Sequence, residues 1–297
     1  MLNRSSFRWL IAFALTGAAC DSACLAADEL DLPAIAELHF KEAAGYSMTL
    51  EGIQQPLELQ KHPIFKWQNL SGEGVQLGAI YVWTRDGRPE VIGSMFSQAE
   101  NGERNVIHEF HTLAQTTLIV GRPKDVKRQW APKGTLAIQQ LESATAVAQT
   151  PAKRLTQMRA LANEFSGYTQ NPNERIELRL APQPLIRYQP TRPDVLDGAL
   201  FAYLSSAAGT DPEFLLMVEA RHPDPNSTDW AWHFGIVRFT ERDLVVKRAD
   251  VSQFSSVADP KLRVSIEESY RWIHNPDDTY VVFHAKFVPE LTKPTKP

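Results

Sequence analysis

Cysteine is nearly missing from this 297-residue chain: Cys20 and Cys24 are the only two, and both fall within the first 27 residues. That opening segment, "MLNRSSFRWLIAFALTGAACDSACLAA", places Arg4 and Arg8 before an apolar run over 9–19 and then small residues. Basic, apolar and small, in that order, describe a secretory signal peptide, cleaved here after Ala26 or Ala27. The mature chain is then free of cysteine, which excludes a disulfide framework, a thiolate metal site and a thiol nucleophile. A second reading keeps Cys20 as a lipid anchor after "TGAA", although the leucine usual three residues before such a cysteine is missing.

Long hydrophobic runs are also lacking. The run over 9–19 is too short to span a bilayer, and no later stretch approaches the roughly 20 residues required. The mature chain is therefore expected to have no transmembrane segment and to be periplasmic or extracellular. Charge of one sign is lacking too: 31 Lys and Arg stand against 35 Asp and Glu, a net charge of −4. Removing residues 1–27 takes away Arg4, Arg8 and Asp21, leaving 29 against 34, or −5. Lys61, Lys66, Lys124, Lys127 and Arg128 are scattered and read as a solvated face. Without a basic stripe interleaved with aromatics, nucleic acid is excluded as a partner. Nucleotide-binding glycine loops, zinc-protease helices and serine-hydrolase elbows are absent as well, since Gly93–Ser94 lacks the second glycine of an elbow. The sequence thus leans away from an enzyme.

What the chain does have is a repeated phrase. "PLELQKHPIFKWQ" (56–68) is echoed by "RIELRLAPQPLIRYQ" (175–189), and "GAIYVW" (78–83) by "GALFAY" (198–203). Gly45–Tyr46 faces Gly167–Tyr168, Pro89–Glu90 faces Pro212–Glu213, and "LIVGR" (118–122) faces "LVVKR" (244–248), at offsets between 119 and 126. A shared order of glycines, prolines and strands points to internal duplication. Each copy is expected to begin with a helix, one from near Pro33 with Ile35, Leu38 and Ala43 inward. The other runs from Pro151, capped by Thr150, with Leu155, Met158, Ala162 and Phe165 inward. The glycine of each Gly–Tyr pair is expected to close its helix in the left-handed conformation. Strands follow, including a hairpin turning at Asp86–Gly87.

The fold class expected is therefore α+β: two related units, 28–130 and 150–260, each a helix followed by an antiparallel sheet, packed as a pseudo-dimer. A linker (131–149) separates them, and a C-terminal hairpin and tail (261–297), turning at 276–278, completes the chain.

Candidate site residues come from two places. "HEFH" puts His108, Glu109 and His111 together, types that ligate zinc or relay protons. In a strand, residues three apart face opposite ways, so His108 and His111 meet at one site only across a bulge, whereas Glu109 and His111 share a face. His233 occupies a comparable strand of the second copy. The plainer reading of all three is ordinary satisfied or exposed histidines. The second source is aromatic: Tyr81 and Trp83 line one face of a strand, and Trp230, Trp232 and Phe234 one face of another. Exposed, such rows would bind a flat ligand. Buried, they are core, which a cysteine-free protein needs.

Two resemblances follow from quoted stretches. "VWTRDGRPEVIGSMFS", "HEFHTL", "ERIELRLAPQPLIRY" and "WHFGIVRFTERDL" resemble uncharacterised exported proteins of planctomycete-type bacteria over most of the mature chain, which implies export and no particular activity. "YVWTRDGRPEVIGSMF" followed by "NVIHEFHT", about 35 residues, is similar to flavin-binding split barrels, which implies a flavin or haem between the two units. The chain departs from that pattern where "LAQTTLIV" stands in place of the family's phosphate-contacting basic residue. The expectation is an exported, non-catalytic binding or interaction protein for a small ligand or protein, with no cofactor. A split-barrel-like flavin or haem carrier or enzyme is the alternative.

Overall fold

The computed structural model describes residues 30–69, 75–142, 145–170, 174–205, 209–223, 227–255, 263–267, 270–275 and 277–293. The signal peptide with Cys20 and Cys24, and position 276 of the tail turn, lie outside the described residues.

Helix α1 (Leu32–Ala44) opens on Asp31, whose carboxylate accepts the Ala34 N–H at 3.0 Å, with Pro33 in the first turn. It buries Ile35, His39, Glu42 and Ala43, while Leu38 stays half-exposed. Gly45 does follow the helix, but in the right-handed conformation (φ −72°). It is glycine because an added Cβ would lie 2.7 Å from Pro123 Cγ. Then come β1 (Ser47–Leu50), β2 (Glu58–Leu59), β3 (Phe65–Asn69), β4 (Gln76–Arg85), β5 (Arg88–Glu100), β6 (Glu103–Thr112), β7 (Leu118–Gly121) and β8 (Ile138–Gln140). Helix α2 (Pro151–Ala162) ends before Phe165 and Gly167, which both belong to β9 (Phe165–Gln170). Gly167 is needed there because a Cβ would meet Phe214 and the Val245 carbonyl, each at 2.9 Å.

The remaining strands are β10 (Arg175–Leu180), β11 (Ile186–Tyr188), β12 (Val195–Ser205), β13 (Pro212–Arg221), β14 (Ala231–Arg238) and β15 (Asp243–Arg248). After them come β16 (Val251–Ser255), β17 (Arg263–Glu267), β18 (Tyr270–His274) and β19 (Tyr280–Pro289). Sheet I runs β17-β18-β19-β6-β5-β4-β2, with β3 also on β4. Sheet II runs β16-β15-β9-β10-β12-β13-β14-β8, with β11 also on β12. β1 and β7 form a separate two-stranded ribbon, and all pairings are antiparallel. The turn between β4 and β5 holds both Asp86 (φ 52°) and Gly87 (φ 81°) in left-handed geometry, the form a two-residue hairpin requires.

The expected α+β fold of two helix-then-sheet units is not what forms. Of the described residues 53% are strand and 11% helix, so the protein is mostly β, built from curled antiparallel sheets. Helical spacing of apolar residues holds only over two short segments, whereas alternation fills the rest of the chain. The tail pairs back on the early strands through β19 and β6, and β8 from the stretch read as a linker extends sheet II beside β14.

Alternation also explains why there are three apolar layers. Ile80, Val82 and Ile92 of sheet I meet Leu200, Leu215 and Met217 of sheet II in a core between the sheets. The opposite faces of the same strands make two outer cores. Tyr81, Trp83 and Phe110 pack under α1 and the β1–β7 ribbon, and Phe201, Phe214 and Trp232 lie under α2. One charged cluster interrupts the middle layer. Fully buried Arg88 reaches Glu90 and Glu219, each at 2.8 Å, Arg192 reaches Glu90 at 2.6 Å, and the Tyr188 hydroxyl donates to Glu219 at 2.8 Å.

Candidate ligand cleft between the sheets

The sequence of β6 alternates across sheet I. His108 and Phe110 point into the outer core and Glu109 toward the other sheet, with His111 on its side of the strand. β19 runs antiparallel beside it, with Tyr280 opposite His111 and Val282 opposite Glu109. From that register the Tyr280 hydroxyl donates to Glu109 Oε1 at 2.8 Å. In front of this pair lies a cleft of about 330 Å³ whose far wall is the start of β13 and the segment 239–242. Glu109, Tyr280, Asp211, Glu213, Trp272 and Arg242 are among its lining residues.

Its electrostatics are unbalanced. Glu109 is 7% exposed, and burial pushes its carboxyl up to about 8, with the charges of Glu213, Glu241 and Asp211 adding to the rise against the Tyr280 hydrogen bond. Burial likewise raises Glu213, despite a bond to Thr240 and the Arg242 guanidinium at 3.4 Å. Asp211 is raised by burial as well. One of its oxygens accepts from Asn69 Nδ2 at 3.4 Å, and its Oδ1 is buried with no hydrogen-bond partner among the described residues. Arg238 stands near, 5.8 Å from the Tyr280 ring, but its Nε donates to the Thr240 carbonyl at 2.8 Å. Glu109, Asp211, Glu213 and Glu241 thus line one cavity with the Arg242 and Arg271 guanidiniums, and burial makes Glu109, Asp211 and Glu213 hold their protons more tightly than ordinary acids.

The structure separates the residues singled out from sequence. Glu109 lines the cleft. His111 is buried behind it, its Nδ1 donating to the Thr112 carbonyl at 2.7 Å, and burial lowers its pKa to about 4, so it is neutral at pH 7. His108 is fully buried on the opposite face. Its Nδ1 lies 2.8 Å from the Tyr46 hydroxyl and its Nε2 3.3 Å from Glu42 of α1, whose other oxygen meets Lys286 at 2.6 Å. That chain of contacts anchors α1 to sheet I. His233 belongs to sheet II, in register with Glu219, its Nδ1 3.1 Å from the Ala231 carbonyl. Tyr81 and Trp83 are each 1% exposed in the outer core. Among the described residues no group of three His, Cys, Asp or Glu could hold a metal ion. No described helix is long and apolar enough to cross a membrane.

Asp211, Glu213 and Tyr280 were missed. A signal for Glu213 was present, because "PEFLLMVEAR" places Glu213 and Glu219 in the same alternating row as Leu215 and Met217, where apolar residues belong. Nothing local marks Tyr280, which meets Glu109 only through a pairing 171 residues apart.

Compared with known proteins, the chain matches no family model, no curated protein and no solved structure.

Proposed function

We propose that the protein is an exported, non-catalytic binding protein that takes a small organic cation into the cleft between its two sheets. Export is read from the order of residues in the first 27. The observation that carries the ligand class is the cluster of Glu109, Asp211 and Glu213, all raised by burial around one cavity. A cation placed there adds counter-charge to that of Arg242 and Arg271, which is outnumbered by the acids, and lets the carboxylates ionise. The volume, about 330 Å³, suits a small ligand, and the rings of Tyr280, Trp272 and Phe96 offer faces for an ammonium or guanidinium group. Binding rather than catalysis is favoured because the imidazole that lines the cleft, His284, is tied through its Nδ1 to Asn105 at 3.1 Å, while His111 does not line it and its Nδ1 is held by a backbone carbonyl.

The test is calorimetry with agmatine, putrescine and tetramethylammonium, in buffers of different ionisation enthalpy. Because Glu109 titrates near 8, binding at pH 7 is expected to expel close to one proton. Affinity then rises by up to about tenfold per pH unit between pH 6 and 8 and flattens above. Glu109→Gln, which copies the shape of the protonated acid, is expected to abolish the proton release and weaken binding at least tenfold. No binding by any of the three cations, or binding indifferent to this substitution, would sink the proposal.

A further inference from the structure

A second cavity, sharing only Trp67 with the lining of the cleft, lies on the outer side of sheet I. α1 packs across β4 and β5 and leaves a groove of about 630 Å³ against β4 and the segment leading into β3. Its walls are mostly apolar, including Leu32, Ile35, Phe40, Leu77 and Ala79. Leu32, at the start of α1, is 52% exposed.

Three further observations say what would fill it. Tyr81, 1% exposed, forms part of the wall 6.2 Å from the Phe40 ring. Its hydroxyl opens onto the groove and is not sealed away from it, and burial of the residue pushes its pKa up to about 12. Lys61 and Lys66 are exposed lining residues with no acidic partner among the described residues, whereas the groove's acid, Glu37, is already paired with Lys41 at 2.8 Å. The cavity is therefore apolar within, cationic around it, and faced by the Tyr81 hydroxyl.

We infer that this groove binds an amphipathic anion, an acyl-chain carboxylate, whose chain replaces water against Leu32, Ile35 and Phe40. Its carboxylate pairs with Lys61 and Lys66, and the Tyr81 hydroxyl bonds an oxygen of the ligand. Nothing in this assignment depends on the inter-sheet cleft.

The experiment compares dodecanoate, dodecanol and dodecylamine by equilibrium dialysis below their micelle concentrations. Dodecanoate is expected to bind at one site per chain, at least tenfold tighter than the alcohol or the amine. The double variant Lys61→Glu/Lys66→Glu is expected to lose that preference, and Tyr81→Phe, which keeps the ring, to weaken binding three- to tenfold. Lys153→Glu on the exposed face of α2 makes the same kind of charge change elsewhere and serves as the control. Equal binding of the three chains, or loss of binding in the control to the same extent as in the double variant, overturns the assignment. So does concentration-dependent dimerisation without dodecanoate binding, which gives the groove to a second copy of the chain.

Discussion

At the scale of single residues, Glu109 shows how burial turns an ordinary carboxylate into a group with a pH signature. An unfolded glutamate titrates near 4.5, whereas Glu109 in the fold titrates near 8. Between those values the unfolded chain is ionised while the native state still holds the proton, so native stability falls as pH rises across that window and levels off above it. Glu109→Gln removes this liability. The variant is expected to match the wild type near pH 4 and to exceed it by on the order of a few kcal/mol at pH 8.5, measured as the difference between urea unfolding curves. Parallel stability profiles for the two proteins would show that Glu109 is not buried as a neutral acid. The sequence revealed half of this arrangement. Strand alternation separated His108 from Glu109 and His111 correctly, because side-chain direction is a local property. The partners that set the chemistry, Tyr280 and Glu213, are brought in by pairing and sheet packing, which no local pattern encodes.

At the scale of elements, the two sheets share a device that places an aromatic ring over a cross-strand glycine. Trp67 of β3 lies opposite Gly78 of β4, and Tyr188 of β11 lies opposite Gly198 of β12. A Cβ on Gly78 would come within 2.1 Å of the Trp67 ring, and one on Gly198 within 2.4 Å of the Tyr188 ring. The glycine leaves a notch, the ring fills it, and the short strand is fixed in register by that contact. Trp67 gains a further tie, since its indole N–H donates to Ser94 of β5 at 3.1 Å. Gly78→Ala and Gly198→Ala are each expected to cost roughly 1–3 kcal/mol by forcing the ring out, an overpacking penalty read from the denaturation midpoint. A neutral effect of both would mean that the rings do not sit over the glycines. Elements governed by local chemistry were the legible ones, as with the Asp86–Gly87 hairpin and the helix starts near Pro33 and at Thr150–Pro151, although the Thr150 side chain makes no capping hydrogen bond. Of the two glycines expected to close helices, Gly45 does cap its helix, but in the right-handed conformation and against Pro123, while Gly167 lies in β9, where it answers to steric contact with Phe214.

For the whole molecule, the decisive feature is the charged cluster between the sheets. Arg88 leaves the β4–β5 hairpin and reaches Glu219 of β13, 131 residues away, while also holding Glu90. Burial opposes ionisation of Glu219, but the Arg88 charge outweighs it and keeps that carboxyl below its usual range. The sheets thus share an apolar layer and a charge network that neither side satisfies alone. That is why reading the chain as helix-then-sheet units failed: it counted local elements and had no access to the pairings of β6 with β19 or β14 with β8. Arg88→Met removes the central cation, leaving Glu90 to Arg192 and Glu219 to Arg221 and the Tyr188 hydroxyl, in a layer otherwise filled by Leu200, Leu215 and Met217. Breaking a buried pair from one side costs about 3–5 kcal/mol, mostly as the penalty of buried charges that lose a partner. The loss is expected to shrink as pH falls and the two glutamates protonate. Because the cluster binds the sheets to each other, tryptophan fluorescence and strand circular dichroism should lose stability together, in one transition. Two separated transitions, or a substitution that leaves the midpoint unmoved at neutral pH, would mean that the sheets hold together without Arg88.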